Sequence, residues 1–355
     1  MSPAPGAAAA LPSIIVGFLL AAAIAFGLTP KVGSYVRRRG IIDRPDARRT
    51  HRQPLPRGGG VAVVLAFTLV AGTMALLGSA VPGMSGAKPI SVNEGLGLFL
   101  GGLVAAAIGA IDDLLDLRAR WQLLGQIAVA IIAVVFGITV RFIDNPFATD
   151  NIVFPTPLAI GFTVVWIVGM INSINFIDGL DGLSSGIALI AAVTLGLLSL
   201  TVAVGNGLGQ PFVAVLCFVL AGALFGFLRW NFHPAVIFQG TSGVMFLGFT
   251  LAVLSILGTA KVIVALLVLG VPIIDTFWVI VRRVSRGRSP FTPDRGHIHH
   301  RLLDLGLSHR STVLLIYAIC ASLGLVSLVA SAEAVLYAFL AAVVGFGLVI
   351  FIIAR

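Results

Sequence analysis

A chain of 355 residues that is 58% hydrophobic and only 10% charged, with a mean hydropathy of +1.08, is not an ordinary water-soluble globular domain. The formal net charge of +9 would suit an anionic partner, but the basic residues sit in loops between apolar runs. They are therefore a topology signal and an attraction for anionic lipid and substrate, not a nucleic-acid surface. Cys217 and Cys320 both lie inside apolar runs, which leaves no basis for a disulfide framework or a cysteine metal site.

Crossing roughly 30 Å of hydrocarbon takes about 17 to 25 apolar helical residues. Spans of that kind fall at 11–29, 58–78, 92–111, 121–140, 154–171, 185–203, 211–228, 241–258, 261–281, 311–331 and 334–354. The expected fold is an all-α polytopic membrane protein of about eleven transmembrane helices, one domain over 1–355. With the N-terminus outside and the C-terminus cytoplasmic, twenty of the twenty-three Lys/Arg fall inside, leaving Lys88, Arg141 and Lys261 outside. The first span has no basic run before it and reads as an anchor. Under this orientation the cytoplasmic loops are 30–57, 112–120, 172–184, 229–240 and 282–310. They hold most of the aspartates, so one cleft at that membrane face is expected to carry the chemistry.

Three loop elements supply the chemistry. In Asp112-Asp113-Leu-Leu-Asp116, adjacent carboxylates on a helix point about 100° apart, so one can bind a cation while the other holds a proton. The competing reading is an acidic cap beside Arg118 and Arg120. The second element runs from Asn172 through Asn175, Asp178, Gly179 and Asp181 to Gly186. On a helix Asp178 and Asp181 would share a face with the two asparagines, and the glycines permit close approach of a ligand. The third is the basic loop with Arg295, His297, His299, His300 and Arg301, suited to diphosphate by its arginine forks and imidazoles. Zinc is disfavoured there for want of cysteine and nearby carboxylates, whereas Arg282 to Arg288 read as topology and lipid contact.

In this order and spacing the three elements resemble the polyprenyl-phosphate N-acetylhexosamine-1-phosphate transferases, the membrane family that includes phospho-MurNAc-pentapeptide translocase. Asp112-Asp113 to Gln126 is similar to the family's aspartate pair, and Asn172 to Gly186 to its Asn-x-x-Asn-x-x-Asp-Gly-Leu-Asp-Gly motif. His297 to Leu302 resembles the His-Ile-His-His-Arg-Leu form of the branch that starts O-antigen, common antigen, teichoic acid or arabinogalactan synthesis. Further matches are Asp43-Arg-Pro-Asp46, His51, Pro56 to Gly60 and Phe246 to Phe249.

The resemblance implies transfer of a sugar 1-phosphate, most simply N-acetylglucosamine 1-phosphate, from a UDP-sugar to undecaprenyl or decaprenyl phosphate, with release of UMP. It implies Mg²⁺, with Mn²⁺ as a substitute, at Asp112, Asp113 and Asp178. The catalytic set would be Asp112, Asp113, Asp178, Asp181, His297, His299 and His300. Asn172, Asn175, Gly179, Arg295, Arg301 and His51 would bind substrate. Implied partners are the UDP-amino sugar, the polyprenyl phosphate, the membrane and a second copy of the chain in a homodimer, with no nucleic acid. The implied location is a bacterial inner membrane, with the active site facing the cytoplasm. One departure stands out: Thr241 occupies the position of a usual metal aspartate, and Gln122 that of a common lysine. Mg²⁺ would then use the other aspartates with Thr241 Oγ or water. Two other readings are a flippase or transporter, for which Asp275 is the one carboxylate well inside a span, and a catalytically degenerate scaffold.

Overall fold

The computed structural model describes residues 7–43, 54–78, 90–143, 145, 147, 151–201, 210–258, 262–289 and 296–353. The fold is helical: α1 Ala7–Arg38, α2 Gly60–Leu77, α3 Val92–Leu115, α4 Ala119–Val135, α5 Thr156–Ile177, α6 Leu183–Thr201 and α7 Pro211–Asn231 are followed by α8 Gly240–Leu257, α9 Val262–Val268, α10 Gly270–Ser285, α11 Ile298–Asp304, α12 His309–Val329 and α13 Ala332–Ile353. Two short antiparallel strand pairs accompany the helices among the described residues, β1 Ile42–Asp43 with β2 Leu55–Pro56 and β3 Phe142–Ile143 with β4 Ile152–Val153. Helix dominates because a backbone in hydrocarbon must satisfy its N–H and C=O groups within its own segment.

Among the described residues, eight helices are long and apolar enough to cross a membrane, and a ninth span follows if α9 and α10 are counted together. The expected uninterrupted span at 261–281 is a correction: α9 and α10 meet at 79°. The reason is Pro272, which has no N–H and whose ring clashes with the carbonyl four residues back, at Val268, where α9 stops. The span expected to reach residue 140 also ends early. Gly137 takes φ +89°, and Ile138 N–H closes back on Ala133 O, so α4 is a 17-residue helix.

The bundle is centred on α8, buried at every residue except Ile256. Phe246 and Phe249 anchor it, Phe246 edge-on to Phe67 of α2 at 5.6 Å. Because short turns join α3 to α4 and α5 to α6, the C-terminal ends of α3, α5 and α7 and the N-terminal ends of α2, α4, α6 and α8 gather at one end of the bundle. β1 and β2 close the first loop, and from there main-chain bonds run Phe238 N–H to Pro56 O, Gly59 N–H to Phe238 O and Gly60 N–H to Gln239 O. This ladder fixes Arg57 beside the start of α8.

Candidate active site

The two adjacent aspartates at the end of α3 diverge, as their helical spacing requires. Asp112 turns toward α4: its Oδ1 accepts from Leu117 N–H at 2.9 Å and Gln122 Nε2 at 2.8 Å, bracing the α3–α4 corner. Asp113 turns toward α8, accepting from the main-chain N–H of Thr241 at 2.8 Å and of Ser242 at 3.0 Å, the unpaired donors of a helix start. Arg57 Nε lies 3.2 Å from the same carboxylate and its Nη1 3.1 Å from Asp116, which caps α3 in the left-handed region. Thr241 thus meets Asp113 through its backbone N–H, and the buried Ser242 hydroxyl beside it also helps to hold down the Asp113 carboxyl that burial raises.

The second element is not a continuous helix. α5 ends at Ile177, Asp178 is its C-cap, and a turn through Gly182 at φ +77° leads into α6. The expectation that Asp178 and Asp181 share a helical face is therefore corrected: the chain leaves helical geometry between them, and their carboxylates take different partners. Asp178 Oδ1 accepts a short hydrogen bond from Ser184 Oγ. Asp181 Oδ2 faces His233 Nδ1 at 2.7 Å and accepts from Ala235 N–H at 3.1 Å. Burial raises the Asp178 carboxyl to about 6; Ser184 and Arg57 pull it down, while the charges of Asp113 and Asp181 push it up. Asn172 pairs with Gln126, its Nδ2 donating to Oε1 at 2.6 Å. The Asn175 side chain makes no hydrogen bond among the described residues.

The histidine loop folds back onto this turn. His297 Nδ1 lies 2.7 Å from Asp275 Oδ2, and Asp275 Oδ1 accepts from Ile298 N–H at 2.8 Å. The carboxylate expected inside a span thus anchors the start of α11, and it supplies the histidines with the acidic neighbour that the sequence did not reveal. His299 is buried, and neither of its ring nitrogens has a hydrogen-bond partner among the described residues. It lies against Gly179, where any Cβ would overlap its Nε2. Burial holds this imidazole well below its ordinary value, reinforced by His300, His297 and His309, so at neutral pH it is a neutral donor–acceptor and not a phosphate-binding cation. The His300 ring lies 4.3 Å from that of His299, and Arg301 Nε donates to Gly296 O at 3.3 Å. His51, Arg295 and Asp46 lie outside the described residues.

Four groups left out of the expected catalytic, binding and metal sets belong to the same end of the molecule: Arg57, Gln239, His233 and Asp275. Each had a weak signal: an arginine before a glycine run, a glutamine beside the Thr241 departure, a histidine before proline, and a carboxylate within an apolar span. Asp181, His233 and His309 bring ligand-type atoms within 4.8 Å of one another, the one such trio among the described residues. Its two imidazoles, however, are stacked at 4.1 Å and 17°, which turns ring faces and not lone pairs toward each other.

The family model described as glycosyl transferase family 4 matches residues 96–259, from α3 through α8. A Bacillus subtilis protein described as a probable undecaprenyl-phosphate N-acetylglucosaminyl 1-phosphate transferase is 34% identical over 312 residues, covering 86% of this chain and 82% of its own. The chain belongs to glycosyl transferase family 4. Other family members include the decaprenyl-phosphate N-acetylglucosaminephosphotransferase of Mycolicibacterium smegmatis, 36% identical over 88% of this chain and 80% of its own. The undecaprenyl-phosphate alpha-N-acetylglucosaminyl 1-phosphate transferase of Escherichia coli K12 is 26% identical over 81% of this chain and 77% of its own. Within the family match lie Asp112, Asp113, Asp178, Asp181, Gln239 and Thr241, whereas the histidine loop lies beyond it.

Proposed function

We propose that this protein transfers N-acetylglucosamine 1-phosphate from UDP-N-acetylglucosamine to a polyprenyl phosphate, releasing UMP. The observation that carries this reading is the convergence of Asp113, Asp178 and His299, from three separate segments, at one end of a membrane bundle. Relatives bearing that activity in their names align over most of the chain. In the reaction an oxygen of the lipid phosphate attacks the sugar-bearing phosphorus of the donor, and the bond to the UMP phosphate breaks. Two anions must approach each other, so cationic groups and a hard cation are needed to absorb charge on the leaving phosphate.

The residues at the site fit Mg²⁺. Asp178 and Asp113 are carboxylates close enough for the charge of one to raise the other, a pair of hard oxygen donors that a cation would relieve. When bound, such an ion would supply positive charge to offset the carboxylates and the charge developing on the leaving phosphate. Asp178 would hold it, with Asp113 behind, while Arg57 keeps Asp113 in position. Neutral His299, buried against Gly179, would hold the turn that carries Asp178 in place without adding positive charge.

The orientation we propose puts this end in the cytoplasm of a bacterial inner membrane. Arg57, Arg229, Arg282, Arg283 and Arg310 lie at the site end, and Glu94 and Arg141 at the other. The function is tested by incubating purified protein with polyprenyl phosphate and a panel of UDP-N-acetylhexosamines. UMP release with label entering lipid is expected for UDP-N-acetylglucosamine. Label crossing vesicles without UMP would instead support the transporter reading. Orientation is tested with an impermeant thiol reagent, which should reach Glu94→Cys from outside and Leu305→Cys only from inside.

A further inference from the structure

A buried polar chain behind Asp178 links α6, α7 and α8. Ser184, Ser185, Asn231 and Gln239 are each at most 2% exposed. Ser184 Oγ contacts Asp178 Oδ1 and, at 2.9 Å, Gln239 Oε1. Ser185 Oγ contacts the same Oε1 at 2.6 Å and Asn231 Oδ1 at 2.7 Å. Asn231 Nδ2 donates to Ile237 O at 3.0 Å, while Gln239 Nε2 is buried with no partner among the described residues.

Counting protons decides which end of the Gln239 amide faces the serines. The Ile237 carbonyl can only accept, so Asn231 must present its nitrogen there and its oxygen to Ser185. The single hydroxyl proton of Ser185 is then committed to Asn231 Oδ1, and its second contact has to come from a donor. Gln239 supplies one only if its amide nitrogen, and not its oxygen, faces the two serines. Turned this way, the nitrogen's two protons serve Ser185 and Ser184, and no buried N–H is left orphaned. The amide oxygen then lies against Gly243 in the first turn of α8, where the helix terminus favours an oxygen over an N–H.

We infer that Gln239 is a positioning residue: its amide nitrogen donates to Ser184, which obliges the Ser184 hydroxyl to donate to Asp178. Relayed from Gln239, the bond holds the Asp178 carboxylate in one orientation with one oxygen occupied and the other left for substrate or cation. Gln239 itself touches no reacting atom.

The test rests on the transferase reading for its activity arm and uses full-length protein with the variants Gln239→Met, Gln239→Glu and Ser184→Ala. Methionine removes the donor but leaves Ser184 with Asp178 as its acceptor, so kcat for UMP release should fall a few-fold with KM little changed. Glutamate, assayed at a pH high enough to ionise it, can only accept, draws the Ser184 proton away from Asp178, and should lower kcat at least tenfold further. In the Ser184→Ala background the difference between the Glu and Met variants should shrink to within about twofold, since coupled residues are non-additive. Glu equal to Met, or more active, would overturn the inference, as would a full Glu–Met difference persisting without Ser184. If wild-type protein releases no UMP from any donor, the transferase reading fails by itself. The network is then read from thermal unfolding, where the order Gln, Met, Glu from most to least stable supports it and Glu at or above Met refutes it.

Discussion

Replacing Arg57 by alanine tests how the first loop is tied to the catalytic end of α3. Arg57 makes two contacts of unequal weight: Nε to Asp113 at 3.2 Å, whose side chain is 4% exposed, and Nη1 to Asp116 at 3.1 Å, whose side chain is 87% exposed. The exposed pair contributes at most about 1 kcal/mol. A charge-assisted bond to a buried carboxylate contributes roughly 1.5–3 kcal/mol, and Asp113 keeps two main-chain donors after the loss, so about 2 kcal/mol is the expected cost. Felt fully in the transition state, that is about a 30-fold fall in turnover. Arg57→Lys, with one point charge and no fork, should fall between the two. Asp116→Ala should stay within about threefold of wild type, its contact being solvent-screened. The assay is UMP release alongside thermal unfolding in detergent, where Arg57→Ala should lower the midpoint by several degrees. Wild-type turnover in Arg57→Ala, or an equal loss in Asp116→Ala, would refute the assignment of Asp113 as the partner that matters.

Three further outcomes follow from the site. Asp178→Asn should lower turnover by orders of magnitude with the fold retained, whereas Asp112→Asn should show its effect chiefly as a lowered unfolding midpoint, since Asp112 Oδ1 braces Leu117 and Gln122; parallel calorimetry and kinetics separate the two. Gly179→Ala should abolish activity by driving a methyl into His299, and Gly179→Ala with His299→Ala should recover the unfolding midpoint but not the rate. Because burial raises Asp178 to about 6 and its carboxylate is the working form, turnover should be lost as pH falls through about 6, or lower if a cation binds; a rate that stays flat down to pH 5 and depends on no metal would argue against Asp178 as the working group.

Much of this protein was legible in the sequence, for reasons rooted in the bilayer. Lipid admits helices and penalises charge, so apolar runs mark the elements, and the few aspartates, arginines and histidines mark the loops where chemistry gathers. The divergence of Asp112 and Asp113 also follows from helical geometry alone. Motif order was enough to recognise the family.

What sequence could not supply were relations between residues distant along the chain, because those depend on how helices pack and not on any local period. Asp113 meets Thr241 and Ser242 from 128 and 129 positions away, and Gln239 reaches Ser184 and Ser185 across more than fifty. Asp275 looked like a lone intramembrane carboxylate until the α9–α10 bend and the fold-back of α11 brought His297 onto it. Asp178 and Asp181 looked like one helical face until the turn after Ile177 separated their partners. In each case the local pattern named the reactive group, and the tertiary packing chose its partner, because an ion pair or hydrogen bond exists only where two elements are held within about 3 Å of each other.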